Sequence, residues 1–284
     1  MAASFTTFFT SDLPRITRFW NLLIIGLCQY FVVCFLMRPD LLVDGRLFLL
    51  ASSTILIAAA GYIINDYYDV KIDLINKPER VVIGKTLSRR VAILLHTFLS
   101  IAGVAIGFFL HWKIGVTNFL SAFLLWWYSN NLKRLPLVGN ITVALLTGLS
   151  VAIVILLYPQ YGATSILVYA LFAFFITLVR EIIKDMEDLK GDNTFGCKTL
   201  PIIWGMRRTK NVIYTLTGMF IFVIIVIHFT LEPLPLYFFL VFLFLPIVIL
   251  IARLARADTK KDYAHLSALC KIIMLFGILS MAFL

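Results

Sequence analysis

Residues 46–73 read RLFLLASSTILIAAAGYIINDYYDVKID. From Leu47 to Asn65 the stretch carries no charge. About 20 mostly apolar residues are what a helix needs to cross the hydrocarbon layer of a bilayer. Three carboxylates then follow, Asp66, Asp69 and Asp73, with no proline to stop the helix. Asn65, Asp69 and Asp73 are spaced i, i+4, i+8, so a helix that runs on places them on one stripe with Asp66 beside it. An apolar span that runs into stacked carboxylates predicts a membrane protein with chemistry at the mouth of its bundle.

The rest of the chain repeats the apolar half of this pattern. Of 284 residues 61% are hydrophobic and 14% charged, and the mean hydropathy is +0.97. A soluble domain averages about half apolar and about a quarter charged. Runs long enough to span lie at 17–37, 46–64, 88–110, 114–130, 137–157, 163–182, 209–230, 233–252 and 264–283. Pro136, Pro233 and Pro235 mark short turns between them. The first run is too long for a signal-peptide core and lacks a small-residue cleavage site, so it reads as a retained span. No linker or low-complexity stretch interrupts the series. The expectation is an all-α integral membrane protein, a bundle of nine transmembrane helices in a single domain, 1–284, with a polar active site at the cytoplasmic face.

With nine spans, the 25 Lys and Arg fall almost wholly on one side; only Arg38, Arg46 and Lys113 lie on the other, and Lys271 is within the last span. The positive-inside rule then places the N-terminus and the long loops in the cytoplasm and the C-terminus outside. Most acidic residues share the cytoplasmic side. The net charge of +10 is confined to short segments, which fits a membrane surface and an anionic substrate. The basic segments lack the interleaved exposed aromatics of a nucleic-acid groove, so no nucleic-acid partner is expected.

The second acidic cluster, REIIKDMEDLKGD at 180–192, spaces Asp185, Asp188 and Asp192 at i, i+3, i+7, with Glu181 one turn earlier. Carboxylates stacked on one helix face repel, and desolvation near lipid adds to the cost. Two such stripes call for bound cations. Hard oxygen donors without His or Cys suit Mg²⁺, which keeps several waters and completes its shell with substrate phosphates. Ordinary solvated loops are the alternative, but two clusters at helical spacing are unusual in a chain this poor in acids. Cys28, Cys34, Cys197 and Cys270 form no C-x-x-C pair and read as small buried hydrophobes. The four histidines are scattered.

Basic residues accompany the acids: Arg18 near the first span, Lys77, Arg80 and Lys85 after the first cluster, and Lys133 and Arg134 in YSNNLKRLPLVGN, 128–140, beside Tyr128 and Ser129. Metal ions flanked by Lys and Arg suit a diphosphate, because the metals bridge its oxygens while the cations neutralise the rest. Topology alone accounts for Arg89, Arg90, Arg207, Arg208, Lys260 and Lys261. Tyr62, Tyr67, Tyr68, Trp126 and Trp127 could stabilise a cation, although aromatics at an interface are more often anchors.

These residues resemble the UbiA-type intramembrane prenyltransferases, a family with nine transmembrane helices and two Asp-rich motifs. Its N-D-x-x-D-x-x-x-D motif is matched by Asn65, Asp66, Asp69 and Asp73, and its D-x-x-D-x-x-x-D motif by Asp185, Asp188 and Asp192. The stretches NDYYDVKIDLINKPER, YSNNLKRLPLVGN and REIIKDMEDLKGDNTFGCKTLPIIWG are similar to the archaeal-type branch that makes digeranylgeranylglyceryl phosphate, and to its bacterial relatives. The likeness covers essentially the whole chain. One departure lies after the first motif: the family commonly continues R-P-[IL]-P-S-G, whereas here Arg80 is followed by VVIGK.

The resemblance implies Mg²⁺-dependent transfer of a polyprenyl group, geranylgeranyl in this branch, from its diphosphate to geranylgeranylglyceryl phosphate. Asn65, Asp66, Asp69, Asp185, Asp188 and Asp192 would hold metal. Arg18, Asn65, Arg80, Lys85, Tyr128, Ser129 and Lys133 would bind substrate, and Asp69, Asp73, Asp188 and Lys133 would carry catalysis. The partners implied are a polyprenyl diphosphate, a lipid-soluble or amphipathic acceptor and membrane lipid, with no nucleic acid and no obligate protein partner. An aromatic or quinone-precursor ring, or a tetrapyrrole, is the alternative acceptor. A cation transporter is a distant alternative, since the acids cluster at one face and no broken spans suggest an inverted repeat.

Overall fold

The structure, a computed structural model, describes residues 12–161, 163–230, 241 and 244–283. Its helices are α1 (Leu13–Ile16), α2 (Phe19–Phe31), α3 (Gly45–Asn76), α4 (Arg89–Leu110), α5 (Trp112–Asn130), α6 (Val138–Ala152), α7 (Val154–Leu157), α8 (Thr164–Glu187), α9 (Leu189–Thr194), α10 (Leu200–Thr230), α11 (Leu245–Arg256) and α12 (Lys260–Ser280). Among the described residues the only β element is an isolated bridge between Ile83 and Leu87.

Seven of these segments are long and apolar enough to cross a membrane: Phe19–Met37, Gly45–Asn76, Arg89–Leu110, Val138–Leu157, Thr164–Glu187, Leu200–Ile227 and Lys260–Phe283. Each lies where a span was expected. At the expected fourth span, α5 is a helix of 19 residues, diluted by Lys113, Asn118 and the polar end Tyr128–Asn130. Of the span expected at 233–252, residues 233–240, 242 and 243 lie outside the described residues, and the remainder enters α11.

The chain forms two compact units. The first comprises residues up to Cys34, Arg38–Lys133 and Ile153–Tyr161; the second comprises Phe35–Met37, Arg134–Ala152 and Gly162 onward. In the first unit α3 is the central helix, packed by α2, α4 and α5. More than half of its apolar window, 56%, is buried, against 11% for α4, whose outer face is left for lipid. Sequence explains the difference. Small residues punctuate α3 (Ala51, Ser53, Ala59, Ala60), and small residues let helix backbones approach in a lipid environment. Gly103 of α4 sits so close that a Cβ there would lie 2.9 Å from the Ser53 carbonyl oxygen. Asn118 of α5 donates to the Ser53 hydroxyl at 3.2 Å and the Gly103 carbonyl at 3.1 Å, so this buried amide is satisfied at the helix junction.

The second unit repeats the plan around α8, which packs against α6, α10 and α12 and buries 61% of its window. Phe172, Ile176, Val179, Ile183 and Met186 of α8 join Ala144 of α6, Phe220 of α10 and Cys270 and Ile273 of α12 in one core. Helix α10 is interrupted at Gly205, whose φ of 77° and ψ of 164° leave the helical region. The central helix of the first unit carries the first acidic stripe, and that of the second carries Asp185.

Candidate active site

Helix α3 does not stop at the end of its apolar run. It continues to Asn76, so Asn65, Asp66, Asp69 and Asp73 ride on one unbroken helix and are half-buried. Two cations reach them from other elements. Lys133, in the short 3₁₀ turn Leu132–Arg134 after α5, donates from Nζ to Asp69 Oδ1 at 2.5 Å. Arg18 donates from Nη2 to Asp66 Oδ1 at 3.0 Å. Its guanidinium also lies 4.7 Å from the centre of the Tyr62 ring, one helical turn before Asp66. Asn21 Nδ2 donates to the Tyr62 hydroxyl at 3.4 Å, so the start of α2 is latched to α3 at two points.

Arg18 achieves this from an unusual backbone. Its φ of 53° and ψ of 55° are left-handed, a conformation that costs a non-glycine residue about 1–2 kcal/mol. The break there ends α1 and lets α2 start in a new direction. Such strain persists where the surroundings over-determine it, often at functional sites.

The loop 77–88 is held by its apolar residues. Val82, Ile83 and Leu87 are buried with Ile16, Ile63 and Ala92, and Gly84, at φ 88°, makes the turn. The VVIGK sequence that departs from the family pattern is therefore an apolar clasp. Its basic residues point elsewhere: Lys85 donates to the Pro78 carbonyl at 2.8 Å, and Arg80, 71% exposed, lies 3.9 Å from Glu79. Neither contact reaches the acidic stripe. Ser129 is buried and its hydroxyl donates to the Leu125 carbonyl of its own helix at 2.8 Å, whereas Tyr128 is half-buried at the same helix end.

The aromatic faces beside the stripe are engaged by cations. Besides Arg18 on Tyr62, Arg89 lies 4.6 Å from the Tyr67 ring centre and donates to the Tyr67 carbonyl at 3.3 Å. Lys133 lies 5.9 Å from the Tyr68 ring centre. Arg89, assigned from sequence to topology alone, thus also packs on the motif. Trp126 and Trp127 are exposed, as membrane anchors are.

In the second unit Asp185 lies on α8, while α8 ends at Glu187 and Asp188 stands at the junction with α9, which carries Asp192. The backbone bends there (Asp188 φ −94°, ψ 8°) but keeps helical bonds, Asp188 N–H to Lys184 O and Asp192 N–H to Asp188 O. Asn140 of α6 donates from Nδ2 to Asp185 Oδ2 at 2.8 Å. Glu181 is buried, and its two oxygens take Arg180 Nη1 at 2.6 Å and Lys184 Nζ at 2.9 Å. Asn140 was missed from sequence. A single Asn has no periodic signature, although an amide in the first turn of an apolar helix is a signal in itself.

Among the described residues no three His, Cys, Asp or Glu side chains form a cluster that could hold an ion by themselves. Mg²⁺ does not require one, because it binds through one or two carboxylates and leaves the remaining positions to water and phosphate. The donors here are carboxylates, and each carboxylate has about four lone-pair sites, of which Lys133 or Asn140 takes one. The residues fit Mg²⁺.

Comparison with known proteins follows the same line. The model of the UbiA prenyltransferase family matches residues 27–276. A digeranylgeranylglyceryl phosphate synthase of Methanothermobacter thermautotrophicus is 41% identical over 170 residues, which cover 58% of this chain and 60% of that protein. The chain thus spans somewhat under two thirds of that relative. The enzyme of the same name from Saccharolobus solfataricus is 31% identical over 264 residues, 88% of this chain and 91% of its own. Two solved structures share the fold. One, from work on digeranylgeranylglyceryl phosphate synthase in membranes, has a TM-score of 0.71 at 23% identity and covers 95% of this chain and 96% of its own. The other, a UbiA homologue from Archaeoglobus fulgidus bound to GPP and Mg²⁺, has a TM-score of 0.64 at 16% identity and covers 96% of this chain and 100% of its own. An all-helical chain with several apolar spans and two Asp-rich motifs, matched by that family model over most of its length, is an integral multi-pass membrane protein and belongs to the UbiA prenyltransferase family.

Proposed function

We propose that this protein is a Mg²⁺-dependent prenyltransferase. It moves a polyprenyl group, geranylgeranyl, from its diphosphate to the free hydroxyl of geranylgeranylglyceryl phosphate. The observation that carries the reading is the set of half-buried carboxylates on α3 with Lys133 and Arg18 already in contact. That juxtaposition of anions and cations suits a metal–diphosphate complex and has no purpose in a plain anchor. The Methanothermobacter and Saccharolobus relatives, which carry the name of that synthase, support this acceptor.

Asp69 and Asp66 of the first stripe, with Asn65, would hold metal, as would Asp185, Asp188 and Asp192 of the second. Bound there, Mg²⁺ supplies positive charge to the departing diphosphate. Lys133 and Arg18 neutralise further diphosphate oxygens. The bond from the first prenyl carbon to the diphosphate oxygen breaks, an ether bond forms to the acceptor oxygen, and the acceptor's hydroxyl proton is released. The tail of several isoprene units requires a catalyst within lipid. We read the whole chain as one catalytic domain with its site at the cytoplasmic face of the cell membrane, the N-terminus inside and the C-terminus outside. The charge asymmetry of the loops supports this orientation.

The test is competition. Purified protein with labelled geranylgeranyl diphosphate receives geranylgeranylglyceryl phosphate and 4-hydroxybenzoate at equal concentration. Label in the ether lipid, with diphosphate released, is the expected result. Exclusive labelling of the ring would replace the acceptor, and the absence of any prenylated product with either would end the enzymatic reading.

A further inference from the structure

In the first stripe Arg18 and Lys133 hold Asp66 and Asp69; in the second, Asp185 is held by the amide of Asn140. Asn140 is buried in the first turn of α6, three positions after Leu137, whose φ of 64° is an outlier for a bulky residue. Its Nδ2 donates to Asp185 Oδ2 at 2.8 Å across 45 positions of sequence. The nearest cations on α8, Arg180 and Lys184, are both engaged by Glu181 at 2.6 and 2.9 Å.

A neutral N–H donor fixes the orientation of the carboxylate without bringing a charge of its own. It also occupies one oxygen, so the other is the one presented.

We infer that Asn140 is a positioning residue for the metal: its amide holds Oδ2 of Asp185 so that Oδ1 faces the cation. This rests on the reading of Asp185 as a metal ligand. A purely structural account, an amide joining two membrane helices, needs only some polar acceptor on α8. It does not explain why that acceptor is a residue of the acidic motif while Glu181 takes both neighbouring cations. Groups that hydrogen-bond a ligating side chain tune metal affinity by about 10–100-fold.

The test uses full-length protein in detergent and two readouts, the Mg²⁺ concentration for half-maximal turnover and Mn²⁺ affinity from electron paramagnetic resonance. In Asn140→Leu both midpoints should rise by about 10–100-fold, by more than maximal turnover falls. Asn140→His, which keeps an N–H donor at a similar reach, should recover most of the shift. Asn140→Ala serves in place of Asn140→Leu if the larger side chain prevents folding. Lower turnover with unmoved midpoints would overturn the inference and leave Asn140 a packing residue. Unmoved midpoints in the Asn140 variants beside a large shift in Asp185→Asn would reject Asn140 and keep the ligand. Unmoved midpoints in both Asp185→Asn and Asp188→Asn would remove the second stripe from the metal site, and this inference with it.

Discussion

Lys133 Nζ lies 2.5 Å from Asp69 Oδ1, tying the turn after α5 to the motif on α3 across 64 positions of sequence. Both side chains are largely buried, at 10% and 15% exposed. Removing one partner of a buried pair strands the other charge and costs about 3–5 kcal/mol, while replacing both by neutral groups is close to neutral. Lys133→Met should therefore destabilise the protein, and the double variant Lys133→Met, Asp69→Asn should regain much of that loss yet remain inactive. Thermal unfolding in detergent, beside a turnover assay, checks both halves. Recovery of activity in the double variant would remove the pair from the chemistry.

Arg18 separates strain from function. Glycine in its place relieves the left-handed backbone, worth about 1–2 kcal/mol, but loses the ion pair to the half-buried Asp66 and the contact with the Tyr62 ring, each worth about 0–1 kcal/mol. Arg18→Gly should fold with a stability within about 1 kcal/mol of the parent while turnover falls by about tenfold or more, the loss of one charge-assisted contact. A variant that is both stable and fully active would mean that Arg18 only shapes the start of α2.

Metal removal gives the broadest check. Excess EDTA should abolish turnover and Mg²⁺ should restore it. Asp69→Asn and Asp188→Asn should each lower turnover by about a hundredfold or more, since losing a metal ligand removes several kcal/mol and each 1.36 kcal/mol is tenfold in rate. Turnover that persists in EDTA would contradict the role given to both stripes.

The frame of these predictions was legible in the sequence because lipid leaves the chain few choices. The charge-free stretch Leu47–Asn65 had to be a helix, and a helix that runs on would place Asp69 and Asp73 on one stripe. Hydropathy put the end of that span at Ile64, whereas the helix ends at Asn76, because apolarity measures what lipid covers and not where hydrogen bonds stop. The bend at Asp188 was hidden, since an i, i+3 spacing looks the same across a kink. Charge told which side Arg80, Lys85 and Arg89 occupy but not what they touch. Lys85 turns to Pro78, while Arg89 lies on Tyr67. The partner of Asn140 was out of reach because it lies 45 residues away and one amide makes no pattern.

The second stripe depends on how closely α12 supports α8, and Gly277 sets that distance. A Cβ at this position would lie 2.1 Å from Cε1 of Phe172 and 2.9 Å from two further ring atoms. Phe172 cannot step aside easily, because it is buried and packs on Phe220 with ring centres 5.9 Å apart. Gly277→Ala should therefore overpack the core and destabilise by about 1–3 kcal/mol. The loss should show as a lower unfolding temperature and a smaller active fraction, with turnover per folded molecule largely kept, because Gly277 belongs to the core and not to the acidic stripe. Shortening the obstacle should compensate: Phe172→Leu combined with Gly277→Ala should be more stable than the two single losses predict, since residues in contact do not add. Strict additivity of the two changes would show that α8 and α12 do not meet at this ring.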